Sequence, residues 1–455
     1  MRLVSKIYVL LALFVVLGCG QNAPLIEERE PDPTPMEQAG ISGNLSAITL
    51  RAGATYTVVG DLQVPEGQVV TIPAGVTFEF NLGPRNEAWV LDVHGSLYVK
   101  GTENNRVVFT ASRTALASAR NTGYGGLWGG IHAGRKAGDL VIEHADVLHA
   151  GGIAREGTII TTPESGGSGR LGAGDRGYGL WYCRPVDERQ DGVFILLYSH
   201  IAYTLDDAIR TNGGRTLLAY NTFEVIGLNG GEAVNIKAGA PGDYAFNLFF
   251  NIATNSLKSA DTQAGVRGIL ETNFYNNTIV NSGYRRAEEA RGGSLNYESD
   301  AYGKAYNNLI VNSRYGLRLT PGEGTPRVTS MQFGYNWHYG TDRNITDNFY
   351  PTGANNPSNG LIGSTLPIPT TDVIGAPNEN DPGFVNYRVS TFTWAGRSNN
   401  SAIPNGANFH LTANSPALTG AKTDFEPKFA TYTTLQGDAY AAPRPAAYFG
   451  AFGRE

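Results

Sequence analysis

The chain has 455 residues, 35 Lys+Arg against 41 Asp+Glu, and a formal net charge of −6 at pH 7. Its 41% hydrophobic share is enough for a large core and excludes a disordered chain, and without a basic excess no nucleic-acid partner is expected. With 58 Gly and 36 Asn the composition is turn-rich, which suits one long repeat array better than two or three ordinary domains.

The N-terminus reads as an address. Arg2 and Lys6 precede an apolar run from Ile7 to Leu17, too short to span a bilayer at about 20 residues but sized for the apolar region of a secretory signal. The end of that run, Val16-Leu17-Gly18-Cys19, resembles a bacterial lipobox. The resemblance implies that residues 1–18 are a lipoprotein signal peptide and that Cys19 is acylated, palmitate included, with enough chains for stable attachment. Residues 19–44, with four prolines and Glu27-Glu28-Arg29-Glu30, read as a flexible lipidated tether. The acidic cluster resembles the surface-export signal of Bacteroidota lipoproteins. It implies an outer-membrane protein, lipid-anchored at the cell surface, whose first partner is the membrane. Cys183 is then the only thiol of the mature chain, so no intramolecular disulfide can form.

From residue 45 the chain alternates in short apolar steps bounded by Gly, Asn or Pro, such as Val70-Thr71-Ile72, Val76-Thr77-Phe78 and Leu97-Tyr98-Val99. These are period-two strands of a few residues each. A repeat emerges in Tyr220-Asn221-Thr222-Phe223, Phe246-Asn247-Leu248-Phe249, Asn276-Asn277-Thr278-Ile279 and Asn307-Asn308-Leu309-Ile310, continued by Tyr335-Asn336 at spacings of 26, 30, 31 and 28. Strand-only repeats of this size predict a β-solenoid, here an all-β right-handed parallel β-helix of roughly 10–12 rungs over residues 45–345. Asn221, Asn247, Asn277 and Asn308 are expected to point inward at one turn and form a ladder. Residues 346–380 are expected to be an irregular excursion, and 381–455 a C-terminal segment folding back to cap the last rungs.

A second series fixes the outward residues. Ala208-Ile209-Arg210-Thr211, Ala233-Val234-Asn235-Ile236, Ser294-Leu295-Asn296-Tyr297 and Gly316-Leu317-Arg318-Leu319 each set a polar residue between inward apolar ones. Arg210, Asn235, Lys237, Asn296, Glu298 and Arg318 should line one outer sheet as a ligand-binding face. Gly268-Ile269-Leu270-Glu271 belongs to the series with a register ambiguous by one residue.

The segments Val69 to Val76, Leu97 to Thr102 and Trp128-Gly129-Gly130-Ile131, with the Asn-Asn steps and Asp381-Pro382-Gly383-Phe384, resemble secreted right-handed parallel β-helix lipoproteins of Bacteroidota. The resemblance covers residues 45 to 455 and implies the fold, not an activity.

Few motifs carry chemistry. Gly167-Ser168-Gly169-Arg170-Leu171-Gly172 matches a dinucleotide fingerprint as a string but has no strand before it. The histidines are scattered, so no metal site is expected. Glu232-Ala233-Val234-Asn235-Ile236-Lys237 resembles the strand of chondroitinase-B and alginate-lyase type β-helix lyases that carries a Glu and, five residues on, a Lys base. That resemblance implies a candidate base in Lys237 with Arg210 and Glu232 nearby. Such lyases neutralise the substrate carboxylate with either Ca2+ or cationic side chains; no other cofactor is expected. Asp206 and Asp207 are adjacent and should fall on opposite faces of a strand, which disfavours a hydrolase with paired carboxylates. The expected role is a rigid, non-catalytic scaffold binding glycans or an envelope protein, with Trp128, Trp181, Trp337 and Trp394 as candidate sugar-stacking rings. A lyase that cleaves acidic polysaccharides by β-elimination is the alternative. The two separate on whether Lys237 and Arg210 converge in an open groove.

Overall fold

The computed structural model describes residues 40–119, 124–162, 170–184, 192–228, 230–237, 240–261, 271–321, 324–389 and 401–455. Cys19, the signal segment, most of the tether, Trp394 and all but the last three residues of the Gly-rich string (167–172) lie outside them. No helix among the described residues is long and apolar enough to cross a membrane.

The chain winds as a right-handed parallel β-helix, each turn giving one short strand to each of three faces. The first face stacks Val90–Val93, Gly130–Ala133, Leu180–Cys183, Ile209–Asn212, Val234–Lys237, Leu257–Ala260, Leu295–Glu298 and Leu317–Thr320, all parallel. The second is a nine-stranded sheet from Val69–Ile72 to Gln332–Gly334. The third runs from the first half of Thr55–Val64 to Trp337–Tyr339. The third face stacks ten strands, within the ten to twelve rungs the repeat predicts, and the second sheet holds nine. At the other end, Ile41–Asn44 already pairs with Thr55–Val64 and Leu45 is fully buried, so the fold begins inside what reads as tether.

Alternation sends every second side chain into the bore. In Leu295–Glu298 the buried Leu295 and Tyr297 join the main core while Asn296 and Glu298 point out. Inward aromatics stack rung on rung, as Tyr56, Phe78 and Phe109 do with centroids 5.8 and 5.2 Å apart. One turn carries an amide ladder. Asn221 Nδ2 donates to Asn247 Oδ1 at 3.0 Å, Asn247 to Asn277 at 3.1 Å, Asn277 to Asn308 at 2.9 Å, and Asn308 to Asn336 at 2.9 Å. Each Oδ1 also accepts the backbone N–H one rung back. The residue before each ladder Asn has positive φ: Tyr220 61°, Phe246 55°, Asn276 50°, Asn307 60° and Tyr335 51°. The bonds repaid at every rung hold Tyr and Phe in a region such side chains rarely adopt.

The capping roles differ from expectation. The segment 381–455 does not close the last rung; it runs back along the sides. Phe384, Phe409 and Phe449 pack on Val280, Val311 and Trp337 of the third face. Farther along, the tail crosses the second face, where Phe429 N–H donates to Asp243 Oδ2 (2.5 Å), Tyr432 Oη to Asp139 Oδ1 (2.7 Å) and Gln436 Nε2 to Thr71 Oγ1 (2.6 Å). The open C-terminal end is closed instead by the segment that reads as an irregular excursion. Its Phe349, Tyr350 and Ile362, with Ile345 just before it, join the main core. Leu361 and Val373 N–H groups donate to Leu319 and Asn336 carbonyls at 2.8 and 2.9 Å. An open apolar end is covered most cheaply by the residues that leave it, and Pro- and Thr-rich spacing hides these four in the sequence.

Candidate active site

On the first face the outward residues fall in register. One row runs Asp92, His132, Trp181, Arg210, Asn235, Lys258, Asn296, Arg318. Two residues farther along each strand, a second row runs Asn212, Lys237, Ala260, Glu298, Thr320. From Arg210 onward the first row, with Lys237, Glu298 and Thr320 of the second, floors an open cleft of about 1010 Å³. Its walls come from the turns preceding the strands, with Asp206, Asp207 and Glu232, and from loops carrying Arg176, Tyr178, Arg286 and Arg291.

Lys237 is the outstanding group. It is 7% exposed and lines the cleft, and among the described residues it makes no hydrogen bond or ion pair. Burial, then the neighbouring cations Lys258 and Arg210, push its amine down to about 7 against the pull of Glu298 and Glu232. An amine that is half neutral near pH 7 can accept a proton. Lys258, the next cation along, behaves oppositely. Burial would lower it too, but Glu232, whose Oε1 lies 3.8 Å away, and Glu298, which it contacts directly, raise it above its ordinary value.

The wall carboxyls also divide. Burial and the charges of Glu232 and Asp206 drive Asp207 well above the usual carboxylate range. Asp207 accepts from Glu232 N–H at 2.9 Å and from Asn235 Nδ2 at 2.8 Å. Burial opposes ionisation of Glu232 as well, but Lys258, the hydrogen bond from Asp207 and Lys237 outweigh it and bring Glu232 to about 2. The two carboxyls are therefore pushed in opposite directions, Asp207 toward its protonated and Glu232 toward its ionised form.

Arg210 lies with its guanidinium 5.2 Å from the Tyr178 ring centroid and 3.8 Å from Asp207. Arg318 is fixed by the carbonyls of Ala290 (2.9 Å) and Ser358 (3.1 Å) and by Asn255 Oδ1 (2.8 Å). Burial lowers it to about 10, so it stays cationic. Among the described residues no group of three or more His, Cys, Asp or Glu converges as a metal ion would require, and Glu232 and Glu298 already engage Lys258. The donor set does not fit Ca2+.

The structure thus brings Arg210, Glu232, Asn235, Lys237, Asn296, Glu298 and Arg318 into one cleft. Two sequence readings need correction. Asp206 and Asp207 precede the strand Ile209–Asn212 and lie in its turn, so strand alternation does not separate them and both face the cleft. The rung sought at Gly268 to Glu271 is Leu257–Ala260; Glu271 instead opens a strand of the second face and pairs with Lys304 at 3.3 Å. That slip hid Lys258, although Leu257-Lys258 carries the same apolar–polar step as its neighbours. Tyr178 was also missed, having no repeat to mark it. Trp128, Trp181 and Trp337 are buried and offer no sugar platform.

Residues 43–141 match the family described as "Pectate-lyase like beta helix domain". No curated protein matches the chain. A pectate-lyase-like β-helix is a scaffold suited to glycan binding or lyase chemistry, and the cleft lies on the rungs beyond the matched stretch.

Proposed function

We propose that the protein is a polysaccharide lyase acting by β-elimination on acidic glycans. The observation that carries this reading is the convergence of Lys237 and Arg210 in one open cleft, with Lys237 unpaired among the described residues and brought to about 7. The neutral Lys237 Nζ takes the proton next to the uronate carboxyl group. The electron pair left behind forms the new C4–C5 double bond, the C4–oxygen bond breaks, and the departing oxygen gains a proton. Arg210 and Lys258, one rung to either side of the Lys237 rung, neutralise the carboxylate as charge builds on it. A hydrolase would need two carboxyls flanking the bond at separations of about 5 Å or more, whereas Asp207 and Glu232 hydrogen-bond to each other.

The N-terminal address belongs to the same reading. A lipobox-like Cys19 and its acidic tether support an acylated enzyme on the outer membrane, working at the cell surface. Incorporation of a palmitate analogue into the wild-type chain but not a Cys19→Ala chain tests the anchor.

The enzyme test is ultraviolet absorbance of the unsaturated product from alginate, pectate and unsulfated chondroitin or hyaluronan. The expected rate rises as pH climbs through about 7, because the base acts only when deprotonated. Binding of these polymers without any rise in absorbance would leave a non-catalytic glycan-binding scaffold.

A further inference from the structure

Charge in the cleft alternates rung by rung. Along the outward row the order is Arg210, Asn235, Lys258, Asn296, Arg318: cation, amide, cation, amide, cation. The amide rungs also carry Glu232, just before Asn235, and Glu298, just after Asn296, while Asp206 on the turn before Arg210 faces Arg176 at 4.0 Å. The outward row thus sets a cation on every second rung, with a glutamate on each rung between.

Adjacent rungs are one strand spacing apart, about 4.8 Å, so the cations recur every ~9.6 Å. That interval is close to the length of an extended disaccharide. We infer that the cleft takes an acidic glycan laid along the helix axis with one carboxylate per disaccharide, an alternating polymer of uronate and neutral sugar. A homopolymer of uronate would bring every second carboxylate to Glu232 or Glu298, where like charges repel. On those rungs the amides of Asn235 and Asn296 suit hydroxyl or N-acetyl groups. Arg210 to Arg318 covers four intervals, about 19 Å, which is room for two disaccharides.

This rests on the lyase reading of the same cleft, and the experiment separates the two. The full-length Lys237→Ala chain is titrated calorimetrically with a hyaluronan tetrasaccharide, which alternates, and with tetragalacturonate, which does not. A melting curve first establishes that the variant is folded. The expected result is at least tenfold tighter binding of the alternating ligand. Adding Asn296→Lys should then improve tetragalacturonate and narrow the gap. Equal or tighter binding of tetragalacturonate overturns the inference, as does failure of both to bind. If the variant prefers the alternating ligand while the wild-type chain never yields unsaturated product, the specificity stands and the catalytic reading falls. If wild type cleaves both polymers and the variant binds both equally, the reverse holds.

Discussion

The first face of the β-helix is one sheet with two fates. Over the rungs of Asp92, His132 and Trp181 its outer surface is closed: Ala154, Ile159, Ile160 and Tyr178 from the returning chain pack onto Trp181 and Cys183. Ile159 N–H caps Asp92 Oδ2 at 2.9 Å, and Trp181 Nε1 donates to Asn212 Oδ1 at 3.0 Å. Burial drives His132 down to about 4, so it sits there neutral. One rung later the row turns to Arg210, Asn235, Lys258, Asn296 and Arg318, and the surface opens into the cleft. Backbone and register are the same in both halves. Only the outward residue and the presence of a covering loop differ. Buried charge costs stability wherever it is retained, and a sheet that can cover its outer face with Trp and Ile has a cheaper solution at hand. The open half keeps its charges for chemistry.

Two substitutions pull the halves apart. Lys237→Ala should cut the elimination rate by about 10²–10⁴ with the melting transition intact, read from product absorbance. Trp181→Ala should do the converse, costing about 3–5 kcal/mol of stability for a fully buried large aromatic, measured by denaturant unfolding. If Trp181→Ala instead removed activity without shifting the unfolding midpoint, the covered half would belong to the active site and the contrast would fail.

How much of this was legible depended on repetition. The strands, the parallel stacking and the Asn turn repeat, and each repetition multiplies a weak local signal; the outward positions of Arg210, Asn235, Asn296 and Arg318 follow from alternation alone. What does not repeat was hidden. Lys258 lay one register error away, Asp207 depended on a turn in place of a strand, and Tyr178 came from a loop. The end cap was misplaced because Ile345, Phe349, Tyr350 and Ile362 have no period, though they bury as deeply as the strand residues. The depressed amine of Lys237 could not be read at all, since it arises from burial and from cations one rung away.

The ladder turn serves both halves and gives an effect of middle size. Asn277→Ala deletes an amide that bonds Tyr244 O (2.9 Å), Asn308 and Asn247, leaving buried partners unsatisfied at roughly 1–3 kcal/mol. Asn336 also sits at 0% exposure, with its N–H on Asp372 Oδ1 at 2.9 Å, so Asn336→Ala should cost a similar amount. Urea midpoints of the two variants check this. A neutral Asn336→Ala would mean that the ladder ends functionally at Asn308.

The pH dependence of stability tests whether the open half gives up stability for its chemistry. Lys237 binds a proton up to about pH 10.5 in the unfolded chain but only up to about 7 when folded. Between those values the unfolded state holds more protons, so stability contributed at this position rises with pH across the window, and the full penalty applies below about 7. Lys237→Met keeps the aliphatic stem and removes the penalty. Its melting temperature should exceed that of wild type by a few degrees at pH 6, and the difference should shrink by pH 9. A variant that melts lower at pH 6, or a gap that does not narrow as pH rises, would mean that the buried amine is not held neutral by the fold. The open half would then differ from the covered one only in lacking a lid.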